Sequence, residues 1–369
     1  MKIKDSVLSD TERAVFCLRD LYRSYGYSQY KMSKFEEYDL YAKNKSFLIS
    51  DSIITFTGIG GKLMALKPDV TLSIVKSMKD MECGVGKVYY NENVYRTEGS
   101  DGDFREIMQA GLECIGDIDD QSLSEVLLLA AKSLELISDD YVLDVSHLGI
   151  VSEAIEVLGI GSSAKKKVLA AIADKNLHSA IAICDEEGVE KEKTQLLQSI
   201  ITLYGDPDTV LNEIEPRLTT EAGKNAAIQL RRLISIISDS IGKDKLRLDF
   251  SVTDDMSYYS GIVISGFIRG ISKSILSGGQ YDNLLRKMGK KMGAVGFALY
   301  LDRLSELEET ADGYDVDVLL LYEENDSTAL VRMTVDELVK SGKSVSAQKV
   351  IPEKLRYKQL IKLNEGEVQ

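Results

Sequence analysis

Cysteine and histidine are scarce in this chain. The four cysteines, Cys17, Cys83, Cys114 and Cys184, are scattered with no C-x-x-C pair, and only His147 and His178 could join them. That spacing fits no zinc pattern, so no metal is expected, and the cysteines read as buried small hydrophobes in a reducing compartment. Long apolar runs are missing too. None approaches the roughly 18 residues of a membrane-spanning helix, and Met1 to Asp10 alternates charged and apolar residues without the apolar core of a secretory signal. A cytoplasmic protein with no membrane association is therefore expected. Basic residues are outnumbered, 45 against 59 acidic, for a formal net charge of −14. The averaged field repels phosphate backbones, which argues against nucleic acid as the main ligand.

What is present is an ordinary globular balance, 44% hydrophobic and 28% charged over 369 residues, long enough for two or three folding units. Ser9-Asp10-Thr11-Glu12 has capping-box spacing, and Val15, Leu18, Tyr22 and Tyr25 share one helical face before Gly26. An amphipathic helix opens the chain. From Ser52 to Leu66 two β-rich runs flank Gly58-Ile59-Gly60-Gly61; the spacing is not that of a phosphate loop, and a hairpin is expected. Lys87 to Tyr95 and Phe104 to Cys114 read as a longer antiparallel hairpin joined by Thr97 to Asp103. Between about Val151 and Gly242 the periodicity is helical. Strand character returns at Leu246 to Phe250, at Tyr258 to Ile264 and at Ala294 to Phe297, which leads into a helix containing Asp302-Arg303-Leu304. From Tyr314 a strand, a helix and a strand form one βαβ unit.

In the second long strand the even positions Met108, Ala110, Leu112 and Cys114 are apolar, while the odd positions carry Arg105, Ile107, Gln109, Gly111 and Glu113. Gln109 and Glu113 project the same way, about 13 Å apart at the usual strand rise, and could grip two ends of one small polar molecule. The carboxylate suits an ammonium or an imidazole N–H; Arg96 and Arg105, facing each other near the loop, suit an anion.

Tyr95-Arg96-x-Glu98 followed by Phe104-Arg105-Glu106-x-x-Gln109-x-Gly111-x-Glu113 resembles the second signature motif of class II aminoacyl-tRNA synthetases in its histidyl form. Leu66-Lys67-Pro68-Asp69-Val70-Thr71 resembles the L-R-P-E-x-T segment of that family, Ser257-Tyr258-Tyr259-Ser260-Gly261 its D-Y-Y-x-G segment, and Ser277-Gly278-Gly279-Gln280-Tyr281-Asp282 its G-G-G-R-Y-D loop. Gly296-Phe297-Ala298 through Asp302-Arg303-Leu304 resembles its third motif. The resemblance spans roughly residues 5 to 310 and implies an α+β fold: an antiparallel sheet flanked by helices, with a helical insertion and a short C-terminal α/β unit. The corresponding domains are 1–150 with 243–312 as the core, 151–242 as the insertion, and 313–369 as a possible remnant of an anticodon-binding domain. The resemblance also implies that Asp69, Thr71 and Gln109 hold the backbone groups of an amino acid, while Glu113, Tyr258 and Tyr259 surround an imidazole. L-Histidine would be the ligand. Arg96, Glu98 and Arg303 match positions that hold ATP, and Arg105 matches the second arginine of the same motif.

The departures are informative. Where the synthetases place an arginine just before the Tyr-Tyr pair, this chain reads Thr253-Asp254-Asp255-Met256-Ser257. Loss of such a charge-stabilising donor raises a barrier by roughly 3–4 kcal/mol, so adenylation and a catalytic role are not expected. The G-G-G-R loop has become Ser277-Gly278-Gly279-Gln280, and the C-terminal region is shorter than the anticodon-binding domain of the family. Together these changes resemble the synthetase-like regulatory subunits of ATP phosphoribosyltransferase, which join a short-form catalytic subunit in the first step of histidine biosynthesis. That resemblance implies no cofactor, histidine as a regulatory ligand, and a homodimer within a hetero-oligomer. A histidine–tRNA ligase and a synthetase-like paralogue with another binding role remain as alternatives.

Overall fold

The computed structural model describes residues 8–44, 53–78, 84–97, 103–252, 258–308 and 314–363. Glu98, Cys83 and the stretch Thr253 to Ser257 lie outside the described residues. Residues 1–306 form one compact unit and residues 307–369 a second.

Helix α1 (Asp10–Ser24) begins on the capping box: the Glu12 N–H donates to Ser9 Oγ at 3.2 Å, and the Ser9 N–H donates to the Glu12 carboxylate at 3.0 Å. Gly26, at φ +83°, releases the chain after it. Then come β1 (Ser28–Gln29), β2 (Phe35–Glu37), α2 (Tyr38–Lys43), β3 (Thr55–Thr57) and β4 (Leu63–Leu66). Strands β3 and β4 form the expected hairpin, and β2 pairs along the other edge of β4 to give a small three-stranded sheet. Lys67-Pro68 follows β4, where proline has no N–H to continue the ladder, and α3 (Thr71–Ser77) comes next.

The long hairpin, β5 (Val85–Thr97) and β6 (Phe104–Gly116), runs 13 residues on each side. After α4 (Asp120–Glu135), β7 (Tyr141–His147) and α5 (Leu148–Glu156) comes the helical stretch. It comprises α6 (Ser162–Ala173), α7 (Leu177–Glu186), α8 (Gln195–Thr202), the two-residue β8 (Tyr204–Gly205), α9 (Pro207–Ile214) and α10 (Glu221–Ile241). The main sheet resumes with β9 (Leu246–Asp249), β10 (Ile262–Ile268) and β11 (Leu276–Gln280), then α11 (Asp282–Lys287) and β12 (Gly293–Tyr300). A 3₁₀ turn, Leu301–Leu304, leads into α12 (Ser305–Glu308). Nine strands line up in the order β1-β5-β6-β12-β11-β10-β7-β9-β8, antiparallel except for β1 with β5 and β7 with β9. Because β8 pairs with β9, the helical stretch is stitched into the same sheet.

One face of this sheet packs on helices. Tyr89 and Phe297, on either side of Leu112 in the ladder, meet Tyr22 of α1, whose ring lies 6.0 Å from Tyr89 and 6.1 Å from Phe297, and the Tyr22 hydroxyl shares a 3.0 Å hydrogen bond with Ser133 of α4. Cys114 and Cys184 are buried as expected of small hydrophobes, but Cys17 is exposed on α1, outside the apolar stripe of Val15, Leu18 and Tyr22.

Two expectations from the sequence are corrected. The extended run beginning at Tyr258 joins the sheet only at Ile262. A strand would send Tyr258 and Tyr259 to opposite faces; instead the two rings pack against each other at 4.7 Å and line one cavity. In the second unit, β13 (Val316–Leu321), α13 (Thr328–Lys340) and β14 (Val345–Gln348) form the βαβ unit, and β15 (Tyr357–Lys362) adds a third parallel strand on the other edge of β13. Its sequence, Tyr-Lys-Gln-Leu-Ile-Lys, has the lysine-marked character of an edge strand in place of the apolar run that announces a central one.

Candidate functional site

The other face of the main sheet carries a cavity of about 400 Å³, at the low end of the range for small-molecule sites. Register explains its floor. Val88, Tyr90, Glu92, Val94 and Arg96 of β5 lie opposite Glu113, Gly111, Gln109, Ile107 and Arg105 of β6, which in turn lie beside Gly296, Ala298 and Tyr300 of β12. Two glycines keep that floor open. A Cβ at Gly111 would stand 2.6 Å from the Tyr90 hydroxyl, and one at Gly296 only 1.8 Å from Glu113 Oε2. The glycines thus make room for functional groups on the neighbouring strand.

Glu113 sits at one end, 2% exposed. Thr71 Oγ donates to its Oε1 at 2.8 Å, and the Tyr281 hydroxyl donates to its Oε2 at 2.5 Å. Burial pushes the Glu113 carboxyl up to about 8, against the pull of those two hydrogen bonds. Tyr258, packed 5.7 Å from Tyr281, and Tyr259 complete an aromatic wall. Burial raises the phenol pKa values of Tyr258, Tyr281 and Tyr90, so each presents a neutral hydroxyl.

Asp69 follows Pro68 at the turn into α3, where its Oδ1 accepts the Leu72 N–H at 2.8 Å. Burial raises its pKa, and Arg96, with a guanidinium nitrogen 4.0 Å from Oδ2, partly offsets that. Arg96 is itself buried and donates from Nε to the Pro68 carbonyl at 2.6 Å. Beneath it Lys67, fully buried, pairs with Glu92. Gln109, 2% exposed, lies in the floor opposite Tyr300. Arg303 reaches the cavity from the 3₁₀ turn after β12, donating to the Ser274 carbonyl.

The structure therefore brings Asp69, Thr71, Gln109, Glu113, Tyr258, Tyr259, Arg96 and Arg303 into one cavity. Arg105 is not brought in: it lies directly across the ladder from Arg96, is exposed, and is not part of the lining. Like charges directly opposite on one face repel, so only one guanidinium turns inward. Glu98 lies outside the described residues. The sequence reading missed Tyr90, Ser277, Tyr281 and Tyr300 as lining residues. Strand alternation from Arg96 carried the signal for Tyr90. Tyr281 lay within the Ser277-to-Asp282 segment, but nothing local marks Tyr300. His147 is used structurally: its Nδ1 accepts the Gly149 N–H at 3.0 Å and its Nε2 bonds Gln229 at 3.1 Å.

Chemically, the cavity offers two carboxyls, an amide, hydroxyls, an aromatic wall and two arginines, one of them beside Asp69. That set matches a small zwitterion with a nitrogen-bearing side chain. Among the described residues no cluster of His, Cys, Asp or Glu could hold a metal ion, and no helix is long and apolar enough to cross a membrane.

Comparison with known proteins agrees with this architecture. An ATP phosphoribosyltransferase regulatory subunit of Oceanobacillus iheyensis is 28% identical over 314 residues, covering 84% of this chain and 77% of the relative. A histidine–tRNA ligase of Methanocaldococcus jannaschii is also 28% identical, over 374 residues, covering 95% and 88%. Among solved structures, an ATP phosphoribosyltransferase regulatory subunit/histidyl-tRNA synthetase from Bacillus halodurans superposes with a TM-score of 0.74 at 20% identity, covering 96% of this chain and 93% of that one. An ATP phosphoribosyl transferase (HisG:HisZ) complex from Thermotoga maritima gives 0.63 at 18%, covering 81% and 98%. These structural likenesses establish a class II, histidyl-synthetase-like fold. A family profile described as histidyl-tRNA synthetase matches residues 6–304, most of the chain, and on that match the chain belongs to the histidyl-tRNA synthetase family.

Proposed function

We propose that this chain is a cytoplasmic, non-catalytic regulatory subunit of ATP phosphoribosyltransferase, required by a short-form catalytic subunit and holding L-histidine as the signal of the end product. The observation that carries the reading is the asymmetry of the cavity. Asp69, Thr71, Gln109 and Glu113, which suit the polar groups of an amino acid, line it together with Tyr258 and Tyr259. Its cationic side is committed to the chain itself, Arg96 to the Pro68 carbonyl and Asp69, Arg303 to the Ser274 carbonyl. A lining whose described arginines both bond the chain itself, beside carboxyls and hydroxyls that suit an amino acid, fits sensing better than adenylation. Relatives named as regulatory subunits of ATP phosphoribosyltransferase support the same assignment. Regulation then requires that histidine bind two states of the assembly unequally.

A second reading, histidine–tRNA ligase, is favoured by the likeness to the Methanocaldococcus ligase over 95% of this chain. The absence of arginine from Thr253 to Ser257 counts against it. One assay separates the two. Phosphoribosyl-ATP formation by a short-form catalytic subunit is measured alone, with this chain, and with this chain plus histidine. Activity that depends on the chain and falls with histidine is expected. Histidine-dependent ATP–pyrophosphate exchange by the chain alone, with no effect on phosphoribosyl transfer, would overturn the regulatory reading.

A further inference from the structure

The end of the cavity formed by β12 and the turn after it is closed by the protein itself. Tyr300, the last residue of β12, lies directly opposite Gln109 on the cavity side of the sheet and is 9% exposed. Its hydroxyl shares a 3.0 Å hydrogen bond with Ser277 Oγ on the adjacent strand β11. The Arg303 guanidinium lies over its ring, with Cζ 4.5 Å from the centroid. Arg303 is locked in turn by its bond to the Ser274 carbonyl. All five residues line the cavity.

A half-buried guanidinium plane is a strong stacking surface for any flat π system, and here an internal tyrosine already occupies it. We propose that Tyr300 is a built-in occupant that sets the ligand class: its ring fills the aromatic slot beneath Arg303, so the cavity admits a small zwitterionic amino acid and refuses a purine nucleotide. The inference deepens the amino-acid reading above and rests on it for the ligand admitted. Two features support it independently of that reading. A base entering the slot must displace a ring held by both a stack and a hydrogen bond. Arg96, the other cation of the lining, sits beside Asp69 and offers little net positive charge to a polyphosphate.

The test uses the full chain and calorimetric titration with ATP, for the wild type, Tyr300→Ala and Tyr300→Phe, with histidine titrated into the wild type separately. The wild type is expected to show no saturable ATP binding up to millimolar concentration. Tyr300→Ala is expected to gain at least about tenfold in ATP affinity, the ratio one buried cation–π stack supplies. Tyr300→Phe keeps the ring and should stay closed. If Tyr300→Ala does not give a cooperative melting curve, Tyr300→Val, better suited to a strand, carries the same comparison. ATP affinity in the folded variant no tighter than in the wild type would overturn the gate, as would tight ATP binding by the wild type. Failure of the wild type to bind histidine would sink the amino-acid reading while the ATP arm still reads Tyr300 on its own.

Discussion

Glu113 is where burial and ligand chemistry meet. With its carboxyl pushed up to about 8, it is largely protonated in the empty cavity at neutral pH, yet a ligand ammonium or imidazole N–H needs the carboxylate. Binding should therefore release a proton. Histidine affinity is expected to rise as pH increases toward about 8 and to level off above it. The stability of the unliganded chain carries the opposite trend. A carboxyl whose pKa is raised on folding contributes stability that is present below its unfolded value, near 4.5, and lost as pH rises through about 8. Glu113→Gln, which preserves shape, should flatten both pH dependences and weaken histidine binding by roughly tenfold to a hundredfold, the worth of one hydrogen bond to a charged group. Calorimetry across that pH range, in buffers of differing ionisation enthalpy, reads affinity and proton release together. Unchanged affinity in the variant would remove Glu113 from the binding set. The role of Glu113 was legible because strand alternation fixes which side chains share a face. That of Tyr300 was not: an apolar run leading into a helix does not reveal which residue will stack under an arginine placed by the following turn.

At the scale of elements, one carboxylate of α5 gathers the start of α10. Glu153 of α5 accepts the Thr219 and Thr220 N–H groups at 2.6 and 3.0 Å and both threonine hydroxyls at 3.0 and 2.7 Å, at the start of α10. Burial acts to raise its pKa, but these four hydrogen bonds outweigh that and hold it below the ordinary value. A Cβ at Gly223, in the first turn of α10, would stand 1.6 Å from Glu153 Oε2. Gly223→Ala should therefore destabilise the chain despite alanine's better helix propensity, by about 1–3 kcal/mol, because the clash displaces the carboxylate from four donors. Urea denaturation compared with the wild type checks it; a gain in stability would show that the anchor can shift at no cost. Helical periodicity announced α10, but this anchor left no trace in the pattern of residues, since a Thr-Thr pair and a glutamate 66 residues earlier carry no mutual pattern. The same limit hid β15 and the true start of β10: propensity locates extended chain, while pairing and facing depend on partners distant in sequence.

For the molecule as a whole, the described residues of the unit 1–306 include an uncovered apolar surface. On the small sheet Phe35 and Phe56 pack edge to face at 5.5 Å yet remain 47% and 39% exposed; Leu63 on β4 is 49% exposed, and Ile59, at the hairpin tip, is fully exposed. Apolar side chains gathered on one sheet and its turn, and paired with each other while facing water, mark a protein contact. The resemblance to the synthetases implies a homodimer, and a second copy docked on this sheet would cover them. Ile59→Asp tests this cleanly, because a side chain with full exposure supports nothing within its own chain. Sedimentation velocity over a concentration series should show the wild type as a dimer and the variant shifted toward monomer, its dissociation constant raised by roughly thirtyfold if Ile59 is a central anchor. The variant should melt as a folded protein. A dimer of undiminished affinity would direct this surface to another partner. Loss of phosphoribosyl-ATP formation in the same variant, with the dimer intact, would identify that partner as the catalytic subunit.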